Sequence, residues 1–181
     1  MAETKPFIGI KKVWYTDVIG TVTSAETGYS ETELSALIKK ATEVTNVHQD
    51  TWGYEESDPS ITEYKNELTG QVYFRDITDP SVPTIKFTIG KYDYKTKADL
   101  QGGKSGDGKW ERTEMTNTIE KCIIAMTKTG HFIVFPKANI TGKGEMVEKN
   151  IGIGVTAVCL ETGVKGLASE LWFDTSKVTL E

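Results

Sequence analysis

The clearest periodicity in the chain lies near its front. Leu34, Leu37, Ile38 and Ala41 recur at i, i+3, i+4 and i+7, a spacing that gathers them on one face of a helix. Ser30 and Glu33 stand at the spacing of a capping box, in which each side chain satisfies the other residue's backbone N–H. Lys39 and Lys40 are expected in the last turn, where cations suit the helix dipole. A second, shorter helix is predicted over residues 93–101, with Asp93 capping its start and Gly102-Gly103 supplying the left-handed conformation that ends a helix.

The rest of the chain reads as strands. Residues 84–90 alternate in character and are rich in β-branched side chains, so a strand leads into the second helix. Residues 62–68 and 71–74 flank Thr69-Gly70 as a hairpin, and 119–126 and 131–135 flank Thr127 to Gly130 in the same manner. Ile151, Ile153, Val155, Ala157 and Cys159 alternate with Gly152, Gly154, Thr156 and Val158. The turn residues of 161–166 then predict a third hairpin, with 167–173 as its second strand. Two polar or glycine-bearing stretches interrupt the pattern: 76–83, with Pro80 and Pro83, and 102–109, expected as a mobile surface loop. Neither is long enough to separate domains. The expected fold is mainly β: one domain over 1–181, an antiparallel β-barrel or sandwich with one flanking α-helix and a second short helix.

Composition narrows the function. With 181 residues, 38% of them hydrophobic and 26% charged, the chain can bury a core without metals or disulfides. A formal charge of −5 argues against a surface that neutralises many phosphates, so specific nucleic-acid binding is not expected. That charge is compatible with a channel through which nucleic acid merely passes, because sliding is served by weakly attractive or repulsive walls. Cys122 and Cys159 each sit in an apolar stretch and are expected as buried thiols. The start lacks the apolar core of a secretory signal and no stretch approaches the length of a membrane span, which predicts a protein made in the cytoplasm, without membrane partners.

Candidate chemistry is sparse. Gly103 to Lys109 has the spacing of a phosphate-binding loop, but Trp110 follows where the motif needs a hydroxyl for magnesium, and no strand-to-helix context surrounds it. Gly152-Ile153-Gly154 has two glycines of a dinucleotide fingerprint inside an alternating strand, where they suit a close approach of a neighbouring group. His48 and His131 lack metal ligands at useful spacing. Glu55, Glu56 and Asp58 beside Pro59 read as a solvated turn rather than a glycosidase pair, and no Gly-x-Ser-x-Gly elbow occurs. No catalytic, metal or cofactor-binding residue is therefore assigned, and no cofactor is expected. Aromatic residues concentrate in the middle third. Trp52, Tyr54, Tyr64, Tyr73 and Phe74 are the candidate interface residues; Tyr and Trp anchor protein contacts when partly exposed, and also stack on sugars or bases.

The order of elements then carries a resemblance. A β-rich domain with one front helix and a charged hairpin region, followed by the segment Phe87 to Gly103, resembles the major tail (tail-tube) proteins of long-tailed bacteriophages. The stretches Leu160 to Val164 and Leu171 to Phe173 are similar as well. The resemblance implies a β-barrel or sandwich whose copies close into rings, with six subunits expected, and rings that stack into a hollow tube for genome passage. The tube proteins of contractile injection machines, type VI secretion included, share that plan. It further implies a virion tail location, partners that are the chain itself and other tail proteins, and DNA met only in the lumen. A carbohydrate- or protein-binding β-sandwich module is the alternative.

Overall fold

The computed structural model describes residues 5–113 and 118–180. In chain order its elements are β1 (Lys12–Thr16), α1 (Glu31–Ile38), β2 (Thr42–Glu43), β3 (Gly53–Glu56), β4 (Ser60–Lys65), β5 (Val72–Asp79), β6 (Pro83–Ile89), α2 (Tyr94–Gln101), β7 (Lys104–Gly106), β8 (Lys109–Glu111), β9 (Ile119–Met126), β10 (His131–Val147), β11 (Asn150–Cys159) and β12 (Leu171–Asp174). Most strands join one antiparallel sheet in the order β2-β1-β9-β10-β11-β6-β3, with β12 added beside β10. The fold is mainly β, as the pattern predicts.

Helix α1 begins as its sequence dictates. The Ser30 N–H donates to Glu33 Oε2 (2.8 Å) and the Glu33 N–H donates to Ser30 Oγ (3.3 Å), closing the capping box. Leu34 and Ile38 are buried, and Leu37 and Ala41 pack against the same cluster while partly exposed. The helix is shorter than its periodicity suggests. Lys40 and Ala41 both donate to the Leu37 carbonyl, a tightening that ends the helix at Ile38. Lys39 is therefore the C-cap and Lys40 lies beyond it, rather than in the last turn.

Alternation along β9 and β10 buries both faces of the sheet centre. Ile123, Ala125, Ile133 and Phe135 point to one cluster, while Cys122, Ile124, Met126, Phe132 and Val134 point to the other, under α1. The first cluster also unites Val13 and Tyr15 of β1 with Ile85, Phe87 and Ile89 of β6, although β9, β10 and β11 separate those strands in the sheet. The sheet thus curls around this cluster. It does not close into a barrel: β2 and β3 end the strand order and do not pair with each other, so the arrangement is sandwich-like.

The expected third hairpin is not formed. Strand β10 continues past Phe135 to Val147, turns through Glu148 and Lys149 (φ 45° and 68°), and pairs with β11 along its second half. A register shift between Phe135 and Ala138, where Pro136 has no N–H to give the ladder, bends β10. Its first half then offers a free edge, and β12 pairs there instead of with β11. The stretch 102–109, expected as a mobile loop, is the β7–β8 hairpin with Asp107 and Gly108 at positive φ. The Trp110 indole N–H donates to the Gly102 carbonyl (2.9 Å) and Lys97 Nζ sits 4.4 Å from its ring centroid, fastening this hairpin to α2. Helix α2 itself is capped by Asp93, ends at Gly102 (φ 84°) and sends Leu100 into the first cluster.

Candidate assembly surface

Strands β4 and β5 pair only with each other and form a separate two-stranded ribbon. Every residue from 60 to 79 is exposed. The register places Ile61 opposite Ile77 and Glu63 opposite Arg75 on one face, with the second pair joined by a salt bridge of 3.1 Å. Thr62 and Asp76, then Tyr64 and Phe74, face the other way, the last two with ring centroids 5.7 Å apart. Tyr73 falls in the register shift between Phe74 and Val72 and is 70% exposed. At the tip, Asn66 organises the turn: its carbonyl accepts from the Gly70 N–H (2.7 Å) and its Oδ1 from the Leu68 N–H (2.8 Å). Leu68 is 94% exposed. Both faces of this ribbon thus carry exposed apolar side chains beside polar and charged ones, and Leu68 projects at its tip.

The five candidate aromatics divide between two places. Tyr64, Tyr73 and Phe74 lie on the ribbon. Trp52 and Tyr54 lie on the body: Trp52 is partly buried and stacks on Phe87, while Tyr54 packs edge-on against Trp172 and donates its hydroxyl to Glu170 Oε1 (2.8 Å). Burial, with this bond to a carboxylate, raises the Tyr54 pKa above the ordinary phenol value.

Attention to aromatics alone misses Ile61, Leu68, Val72 and Ile77, the aliphatic part of the ribbon, which the alternation around Thr69-Gly70 could have revealed. It also misses a second exposed group on the body. Phe7 is 58% exposed, with its ring 4.2 Å from that of His131 and 5.0 Å from that of Trp172, and Ile8 beside it is 55% exposed. The Lys128 N–H donates to the Ile8 carbonyl (3.0 Å) and the Ile8 N–H to Thr129 Oγ1 (3.2 Å), tying this segment to the β9–β10 turn.

The chemical motifs dissolve into structure. Gly103 to Lys109 spans the β7–β8 hairpin, where Lys109 pairs with Glu111 (3.0 Å). Gly154 leaves room for the Glu145 carboxylate, which accepts a hydrogen bond from Thr88 Oγ1, so the neighbouring group it admits is a charged side chain. Glu55 and Glu56 belong to β3 rather than to a turn: Glu55 pairs with Lys86, and Glu56 accepts from Ser81 Oγ (2.6 Å). His48 lies 3.8 Å from Glu148 at the surface. Among the described residues, no three His, Cys, Asp or Glu side chains are grouped to hold a metal ion. Cys122 and Cys159 are buried free thiols, and burial pushes Cys122 up to about 12. No described helix is long and apolar enough to cross a membrane.

The strand order ends at β3 on one side and at the two-residue β2 on the other, leaving the outer edge of each without a partner strand among the described residues. Comparison with known proteins finds neither a matching family model nor a matching curated protein.

Proposed function

We propose that this chain is a structural protein whose activity is self-assembly, and specifically that it builds the tail tube of a long-tailed phage as stacked, six-membered rings. The observation that carries this reading is the β4–β5 ribbon. Two strands alone are marginally stable in water, and a ribbon that exposes Ile61, Tyr64, Leu68, Tyr73, Phe74 and Ile77 gains most when another molecule covers those side chains. The uncovered edges of β3 and β2 supply a second kind of contact, since backbone N–H and C=O groups there can pair with a strand of a neighbouring copy. Family resemblance contributes the ring number, the genome as cargo, the virion tail as location and other tail proteins as partners.

A sugar-binding reading draws on the same aromatics but finds weaker support. Trp52 is packed on Phe87, and Tyr54 and Trp172 meet at 80°, so these candidate rings do not lie side by side as a flat platform for a saccharide.

Removal of the ribbon tests the proposal. A variant in which residues 61–77 are replaced by a short Gly-Ser linker is expected to keep the melting temperature of the parent and to lose tube formation in negative-stain images. Tubes of normal length from that variant would refute the role given to the ribbon.

A further inference from the structure

Three rings from distant parts of the chain meet on the body around one carboxylate. Trp172 of β12 is crossed edge-on by Phe7 (centroids 5.0 Å apart, 89°) and by Tyr54 of β3 (5.7 Å, 80°). Rings crossed in this way open a right-angled corner where two π faces meet. All three stay exposed, Phe7 at 58%, Trp172 at 42% and Tyr54 at 37%. Glu170 Oε1 accepts both the Tyr54 hydroxyl and the Trp172 indole N–H, each at 2.8 Å. Donation to a carboxylate polarises both rings and makes their faces more negative. Glu56 adds its charge, helping to raise the Tyr54 phenol after burial and Glu170. Among the described residues no Lys or Arg lies within salt-bridge distance of Glu170, and none stands over Phe7, Tyr54 or Trp172. The other tryptophans are covered from within the chain: Lys12 Nζ stands 5.6 Å from the Trp14 ring centroid, Lys97 Nζ 4.4 Å from that of Trp110, and Trp52 stacks on Phe87. The charged groups nearest in the fold act elsewhere. His131 lies against Phe7, and with Lys5 it adds to the hydrogen bonds from Ser176 that hold the Asp174 carboxyl below its usual range.

We infer that the crossed rings of Trp172, Tyr54 and Phe7, with the Glu170 carboxylate bridging the first two, bind an organic cation of the quaternary ammonium class. This goes beyond the self-assembly reading and does not rest on it. A methylated ammonium carries a diffuse, weakly hydrated charge, asks for no hydrogen-bond acceptor and gains from every π face it touches. A guanidinium suits the site less well. Its fork seeks both oxygens of a carboxylate, and Glu170 Oε1 already accepts two hydrogen bonds, which leaves Oε2 alone. A primary ammonium is strongly hydrated and brings three donors, which the rings cannot satisfy. The crossing angle that spoils a flat platform for a sugar is thus the feature that suits a cation. Free choline and the choline of a lipid headgroup share this chemistry.

Titration of the full chain with choline chloride, at ionic strength held constant with sodium chloride, tests the site through the indole N–H resonance of Trp172, identified by its loss in Trp172→Phe. A saturable shift with a midpoint of about 1 mM is expected. The neutral isostere of choline, in which a tert-butyl group replaces the trimethylammonium, should give no saturable shift. Glu170→Gln keeps an oxygen to accept both donors but loses the charge, and should weaken choline about tenfold at an unchanged melting temperature. Phe7→Leu removes one ring without touching that hydrogen-bonded group and should weaken choline about threefold. Co-sedimentation with phosphatidylcholine vesicles would place the cation on a lipid, and choline binding without it would make the ligand free or polymer-borne. A shift that does not saturate, equal binding of the neutral isostere, or full choline affinity in both folded variants would overturn the site. None of these results bears on ring or tube formation, so failure here leaves the self-assembly reading standing.

Discussion

At the residue scale the fold depends on positions whose neighbours leave them no freedom. Leu34 is fully buried between α1 and the sheet, so Leu34→Ala should lower stability by about 3 kcal/mol through lost burial and the cavity left behind, read as a shift in the denaturant midpoint. Gly142 is equally constrained, by space. A Cβ there would come within 2.3 Å of the Leu100 carbonyl oxygen, which is backbone and cannot swing away, so Gly142→Ala should push α2 off β10 and lower the melting temperature. A wild-type melting curve for Gly142→Ala would mean that α2 does not rest on that strand. Glu33 adds a pH dependence. Burial favours its neutral form, but hydrogen bonds from Thr23 and from the Ser30 hydroxyl and backbone outweigh it and hold its carboxyl down to about 2, below the ordinary 4.5. A carboxylate whose folded pKa is depressed stabilises the fold above its unfolded pKa, and that contribution is lost as pH falls from about 4.5 toward about 2. Glu33→Gln should therefore show a smaller loss of stability between pH 6 and pH 3 than the parent in parallel urea titrations.

At the element scale, what was legible in the sequence follows how local each cause is. The capping box at Ser30 and Glu33, the Asp93 cap with Gly102 after α2, and the β9–β10 turn are set by residues within one turn of each other, and each appears where its residues predict. The β4–β5 hairpin turns about Thr69-Gly70 as predicted, but β4 ends at Lys65 and β5 runs to Asp79, through part of the stretch 76–83 that reads as an interruption, because cross-strand pairing carries Asp76 to Asp79 into the ladder. Strand β10 beyond Phe135 was not legible. Pro136 reads as a strand end, and 137–147 mix Lys and Gly with apolar residues because one face packs inward while the other meets solvent. The pairing of β12 with β10 was hidden for the same reason: it depends on the bend at Pro136 and on where β11 stops, neither of which leaves a local pattern. The candidate site was legible in part. The exposure of Tyr64, Tyr73 and Phe74 on the ribbon follows from the local hairpin, whereas the place of Trp52 against Phe87 and the meeting of Phe7 with Trp172 arise from contacts between distant segments. The ribbon itself makes a prediction at this scale. Because β4 and β5 pair only with each other and stay exposed, native-state hydrogen exchange of residues 61–77 in the unassembled protein should be fast relative to β9 and β10, and should slow markedly on assembly.

At the scale of the whole molecule, a curled sheet is covered by α1 on one face and α2 on the other, while exposed apolar groups lie on the ribbon, around Phe7, and at Met146 and Ile151 beside the β10–β11 turn. That division of a stable interior from several distinct sticky surfaces suits a subunit that contacts more than one neighbour. Under the proposed tube role, a chain with formal charge −5 would offer passing phosphates no net attraction. The most direct measurement is negative-stain electron microscopy, with sedimentation velocity alongside, of the purified protein from micromolar to millimolar concentration, without and with the tail-tip complex that would initiate a tube. The account predicts closed rings, with tubes of constant diameter growing from them; a protein that remains a single monomeric species throughout, with the initiator present, would contradict it.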